Sequence, residues 1–314
     1  MSDWARCSTW TLELCQAFPH LSKPQAKQLA EFSQGMVLAE GSGLSRVAWT
    51  LAQLRGESYD AVRERLRDFY RSAEAKPGAK RREVDVRECF GPLLAWLLRD
   101  WEGRQLPIAL DATHLGERFV VLAISVVYRA CAIPVAWKIL SAHHKGSWRP
   151  YWLELLEQFA GLVPPSMQVI AMADRGLYAK WLYEAVVGLG WRPLFRINQN
   201  DNVFRPEGGA YQPLSQLLPA PGQDFAARGT MFRSPSTQLR CTLLGRWDCS
   251  YDEPCWVLTD IDPSQASAAW YDLRFWIERG FYHTQSGGWN WQETRMTDPD
   301  RAERQWLVMA VASV

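Results

Sequence analysis

"PIALDATHLGERFVVLAISVVYRACAIPVAWKIL", residues 107–140, is where the chain changes its period. Three apolar runs rich in Val, Ile and Ala follow one another here: "PIALDATHL" (107–115), "RFVVLAISVVYRA" (118–130) and "CAIPVAWKIL" (131–140). Runs of this length and composition read as strands, and connections this short make a meander of them. The first run ends in an acid, Asp111, inside "ALDAT".

Downstream the pattern alternates. "SWRPYWLELLEQFAGL" (147–162) places Trp148, Trp152, Leu155, Leu156 and Phe159 at helical spacing. "MQVIAMADRG" (167–176) is a buried strand that also ends in an acid, Asp174. A helix, "YAKWLYEAVVGLG" (178–190), and a strand, "WRPLFRIN" (191–198), complete the run. The order β-β-β-α-β-α-β is that of the ribonuclease-H-like fold, an α/β class with helices on the faces of a mixed sheet. Residues 199–270 break it with many Pro, Gly and Gln residues and the strand-like pieces "FAARGTMFR", "LRCTLLGRW" and "CWVLTD". A structureless loop that long is improbable, so a β-rich insertion is expected over about 199–268. Helix then returns over 267–285. The last segment, "DPDRAERQWLVMAVASV" (298–314), opens with Asp298 as a cap and Pro299 at the first helical position.

Upstream, residues 22–102 read as helices. "SKPQAKQLAEFSQGMVLAE" (22–40) starts at a Ser cap, "LSRVAWTLAQLRG" (44–56) stops at Gly56, and "SYDAVRERLRDFYRSAEA" (58–75) opens on another Ser. "VDVRECFGPLLAWLLRDWEG" (84–103) is a fourth. The organisation expected is a helical, DNA-binding part over 1–104 and a catalytic part over 105–314.

Composition narrows the function classes. Of the 314 residues, 47% are hydrophobic and 22% charged, which excludes a disordered chain. The seven cysteines form no CxxC pair, and Cys241, Cys249 and Cys255 lack zinc-ligand spacing. Reduced thiols of a cytoplasmic protein are expected. No apolar run reaches the roughly 18 residues of a membrane span and the N-terminus does not read as a signal peptide, so no membrane partner is expected. The net charge of +1 hides a basic stretch, 63–87, with nine Arg and Lys against five acids. No GxSxG or P-loop is present.

The aromatic segment "YDLRFWIERGFYHTQ" (271–285) carries charge in an unusual place. At about 100° per residue, Tyr271, Arg274, Glu278 and Gln285 fall at roughly 0°, −60°, −20° and −40°, on one stripe. Leu273, Trp276, Ile277 and Phe281 take the other side. In the fold read above, the ends of the first and fourth strands are neighbours and the late helix can pack beside them. Asp111, Asp174 and Glu278 would then converge. Like charges held close need a compensating cation, and hard oxygen ligands suit Mg²⁺ or Mn²⁺.

The segment also fits Y-x2-R-x3-E-x6-K, and so resembles the signature of bacterial insertion-sequence transposases of the insertion sequence four family. Tyr271, Arg274 and Glu278 match it, and Gln285 stands where the signature has Lys. "ALDATHL" and "ADRGLY" resemble that family's first and second aspartate motifs, and an insertion before the glutamate is a family trait. The resemblance implies a DDE triad of Asp111, Asp174 and Glu278 binding two Mg²⁺ ions, with Mn²⁺ able to substitute. It implies cleavage at the terminal inverted repeats of a transposon and transfer of 3′-hydroxyls into target DNA, by a homodimer on the bacterial nucleoid. Tyr271, Arg274 and Gln285 would contact DNA, as would Arg175 and Arg196 just beyond strand ends. A hairpin intermediate would need a flipped base stacked on an aromatic, for which Trp256 and Trp247 are the candidates. Gln285 offers only a neutral hydrogen bond, so weaker end binding is expected. A catalytically inactive DNA-binding derivative, and a metal-dependent nuclease without strand transfer, are the competing readings.

Overall fold

The computed structural model describes residues 3–76, 82–129, 131–274, 282 and 288–314. Its helices are α1 (Asp3–Ala17), α2 (Lys23–Ala39), α3 (Leu44–Arg55), α4 (Tyr59–Tyr70), α5 (Val86–Leu97), α6 (Arg149–Ala160), α7 (Lys180–Gly188), the single turn α8 (Leu214–Leu217) and α9 (Pro299–Ser313). The strands are β1 (Gln105–Leu115), β2 (Phe119–Tyr128), β3 (Cys131–Ser141), β4 (Gln168–Ala173), β5 (Arg192–Ile197), β6 (Val203–Pro206), β7 (Gln212–Pro213), β8 (Asp224–Met231), β9 (Leu239–Arg246) and β10 (Cys255–Thr259). Among the described residues, none of the helices is long and apolar enough to cross a membrane.

The strands form one sheet of order β3-β2-β1-β4-β5-β10-β9-β8-β6-β7. The meander of residues 107–140 is antiparallel, Leu110 facing Ile124 and Val121 facing Ile139. β4 runs parallel to β1 and β5 parallel to β4, each crossover supplied by α6 or α7. The element order β-β-β-α-β-α-β is therefore present as read from the periodicity. Residues 199–268 hold β6–β10, and these strands continue the same sheet. β10 pairs antiparallel with β5, Trp256 opposite Ile197, and β9, β8, β6 and β7 follow outward.

A close backbone approach fixes the outer part of that sheet. Gly229 on β8 faces Pro206 on β6, and a Cβ built on it would lie 2.2 Å from the carbonyl oxygen of Arg205. Backbone cannot give way as a flexible side chain can. Gly229→Ala is expected to cost about 1–3 kcal/mol, read as a lower urea midpoint at unchanged slope. An unchanged midpoint would mean that β6 and β8 are not packed this tightly.

Two apolar clusters lie on opposite faces of the sheet. The larger takes Leu106, Ile108, Leu110, Ala171, Phe195, Trp256 and Leu258, together with residues of α1–α7 and α9. The smaller takes Ala109, Ile170, Met172, Leu194, Leu244, Val257, Ala268 and Tyr271. Helices α1–α5 thus share a core with the sheet. The link is α9, which packs against β3, α2, α4 and α5 and is buried from Ala302 through Val311. Its cap and first position are Asp298, which accepts from the Arg301 backbone N–H, and Pro299. Among the N-terminal helices, the buried Glu31 of α2 accepts from Arg55 of α3 and Arg65 of α4, both at 2.8 Å.

One expectation is corrected. Ala268–Arg274 is a 3₁₀ helix, not the start of an α-helix. The Ser267 hydroxyl accepts from the Ala269 N–H and its carbonyl from the Trp270 N–H, an i to i+3 closure. The remainder of the expected helix lies outside the described residues, except Tyr282.

Candidate active site

The parallel pairing of β1 with β4 brings two acids together. Its last rung sets Leu110 against Ala173, and the next residue on each strand is an aspartate. Adjacent strands are about 4.8 Å apart, so Asp111 and Asp174 lie side by side where the pairing of β1 with β4 stops. Asp111 does not end its strand as expected, because β2 pairs with β1 as far as Leu115. Their face follows from period two. Ala109 and Met172, two residues earlier, both belong to the smaller cluster. The aspartates therefore share the face that the 3₁₀ helix covers.

Both carboxylates are half-buried and anchored by backbone. Asp111 Oδ1 accepts from the Ala112 N–H at 2.8 Å. Asp174 Oδ1 accepts from the N–H groups of Gly176 and Leu177, each at 2.9 Å. A Cβ on Gly176 would sit 3.3 Å from that oxygen, so this tight turn suits glycine. The turn is the ordinary Asx geometry of a chain leaving a strand, and it holds the carboxylate at the sheet edge. Two hard oxygen donors so placed fit a divalent cation of the magnesium class. Among the described residues no group of three His, Cys, Asp or Glu side chains gathers. The third acid of the expected triad, Glu278, lies outside the described residues, as does Gln285. Arg274 ends the 3₁₀ helix.

Tyr271 differs from its expected role. It is 6% exposed, and its hydroxyl donates to the Ala173 carbonyl at 3.2 Å. The contact expected with a DNA phosphate is replaced by one with the strand that carries Asp174. Arg175 and Arg196 converge on one carboxylate that sequence reasoning missed, Glu253, at 3.1 and 3.8 Å. No local signal links Glu253 to Arg175, since the two are brought together only by β10 pairing with β5. Arg196 lies two residues from Leu194 on β5, so it shares the face of the aspartates.

The two tryptophans expected to stack a base are placed differently. Trp256 is fully buried on the opposite face, its ring 5.9 Å from Phe225 and its Nε1 donating to Gln199. Trp247 is half-buried against the same larger cluster, and its Nε1 donates to the Tyr251 carbonyl. Trp256 is corrected to a packing residue, because large apolar surface in a thin β layer goes to the side that other elements cover. Burial pushes the Cys255 thiol up, and that of Cys241 up to about 12, which keeps both protonated near neutral pH.

No protein-family model matches the chain, and no curated protein matches it. Among solved structures it is similar to the piggyBac transposase in a synaptic complex with hairpin DNA, determined by cryo-EM. The identity is 10% and the TM-score 0.40, over 93% of this chain and 72% of that one. Likeness at that level is loose.

Proposed function

We propose that the chain is a DDE-type DNA transposase with a ribonuclease-H-like core, cutting at transposon ends and joining 3′-hydroxyls to target DNA. The observation that carries this reading is the placement of Asp111 and Asp174 side by side where the parallel pairing of β1 with β4 stops, on one face of the sheet. The aspartate motifs and the Tyr271, Arg274 and Glu278 spacing support it. Asp111 and Asp174, with Glu278 as third ligand, would hold two Mg²⁺ ions. Such ions supply an activated water or 3′-hydroxyl and stabilise the leaving oxygen. The protein's part is positional. The backbone N–H groups of Ala112, Gly176 and Leu177 set the direction of each carboxylate before any ligand arrives. Arg196, half-buried on the same face, offers a cation to a phosphate once it leaves Glu253. Helices α1–α5 would supply further DNA contacts, and a homodimer would bring two ends together in the bacterial nucleoid.

The test is nicking of supercoiled plasmid by the full chain with Mg²⁺, with Mn²⁺, and with chelator. Metal-dependent nicks followed by joined products are expected. Nicks without joining would favour the nuclease reading. DNA binding with no metal-dependent cleavage under either ion would favour the inactive derivative.

A further inference from the structure

We infer that Tyr271 is a positioning residue for Asp174. This rests on the function just proposed and departs from the phosphate contact that the signature implies. Ala173 is the last residue of β4 paired on both sides, to Leu110 of β1 and Phe195 of β5. The peptide joining Ala173 to Asp174 is therefore the first one beyond the double ladder. Its carbonyl is the group that receives the Tyr271 hydroxyl, at 3.2 Å. The ring beneath that hydroxyl is locked among Met172, Leu194, Val257 and Ala268, so the donor has little freedom to swing toward solvent.

Asp174 is consequently fixed from two directions. Tyr271 holds the peptide plane that precedes it, and the Gly176 and Leu177 N–H groups hold Oδ1 behind it. Removing the hydroxyl frees the peptide to rotate and carries the carboxylate with it. A reacting group displaced by about 1 Å loses on the order of 10²-fold in rate. The hydroxyl is buried, so its removal leaves the DNA-facing surface as it was.

The experiment compares the wild-type chain, Tyr271→Phe and Asp174→Asn in three readouts: DNA affinity, nicking rate at saturating DNA, and Mn²⁺ affinity by EPR. Tyr271→Phe is expected to bind DNA as the wild type does, to nick about 10- to 100-fold more slowly, and to bind Mn²⁺ more weakly. Asp174→Asn should show the larger loss of Mn²⁺. Restoring the donor with 3-fluorotyrosine at position 271 should return both rate and Mn²⁺ affinity, which a general packing defect would not predict. A Tyr271→Phe chain that loses DNA affinity but keeps its saturated rate and Mn²⁺ binding would overturn the inference in favour of a phosphate contact. Wild-type rate and Mn²⁺ affinity in that variant would overturn it outright. Should the wild type bind Mn²⁺ without nicking, the function fails while the Mn²⁺ comparison still decides the role of Tyr271. Should Tyr271→Phe not fold, the fluorotyrosine chain decides: one that folds with wild-type Mn²⁺ affinity supports the hydroxyl contact, and one with weakened affinity sinks it.

Discussion

Asp111→Asn and Asp174→Asn, each alone, are expected to lower metal-dependent nicking by about a thousandfold or more. A bound divalent ion contributes several kcal/mol of charge stabilisation, and each 1.36 kcal/mol is tenfold in rate. Asparagine keeps the size of the side chain and one carbonyl oxygen. In Asp174→Asn that oxygen can still accept from the Gly176 and Leu177 N–H groups, so the turn survives and the charge alone is lost. DNA affinity should be unchanged or slightly tighter, because a negative charge facing phosphate has gone. The double variant should be no slower than either single one, since residues that act as a unit are not additive. Either single variant nicking within tenfold of the wild type would remove that aspartate from the site.

The part of this arrangement that was legible in the sequence is the part written locally. The Val- and Ile-rich runs of 107–140 are strands whatever surrounds them, and "AMAD" leaves its strand at the acid, whereas β1 runs past Asp111 to Leu115 because β2 pairs with it there. Gly56 ends α3 in the left-handed conformation, as a glycine after a helical run suggests. What was not legible depends on partners distant in sequence. Trp256 and Val257 are both fully buried, so alternation alone could not say which faces the acids. The pairing of β10 with β5 decides it. Likewise a helical wheel groups Tyr271 with Arg274 on a polar stripe, whereas the Ala173 carbonyl, 98 residues away, draws the tyrosine hydroxyl inward. α1 falls within the part expected to be helical, although Trp, Thr and Cys in "DWARCSTWTLELCQA" are weak helix formers. Its Leu14 is nonetheless buried in the shared core.

α9 is where local reading and tertiary structure diverge most, and it yields the largest stability prediction. "AERQ" places three polar residues in succession, which in a surface helix would include a solvated position. Here all three are buried and each is bound to a different element. Glu303 accepts from the Ile139 N–H at 2.9 Å and from Lys138 at 3.0 Å, capping β3 at the edge of the sheet. Gln305 donates to the Ser42 carbonyl at 2.8 Å, holding the loop after α2. Arg304 donates to the carbonyls of Tyr70 and Val84, both at 3.1 Å, and to Glu83 at 2.6 Å. One guanidinium thereby fastens the end of α4 and the approach to α5 onto the C-terminal helix.

Arg304→Ala is expected to cost about 2–6 kcal/mol. Two buried carbonyls lose their donor at about 1–3 kcal/mol each, while Glu83, 44% exposed, is rescued by water. The comparison that isolates the effect is Arg301→Ala, one turn earlier on the same helix. Its ion pair with Asp298 is 4.0 Å long with both side chains well exposed, and such pairs contribute roughly 0–1 kcal/mol. Urea unfolding of the two variants should therefore differ by several kcal/mol although both remove one arginine. The loss in Arg304→Ala should be shared by α1–α5 and the sheet in one transition, because α9 belongs to the core of both. Equal losses in the two variants would mean that the guanidinium is not the fastening. A separate, earlier melting of the helical part in Arg304→Ala alone would mean that α1–α5 can part from the sheet when this one contact is removed.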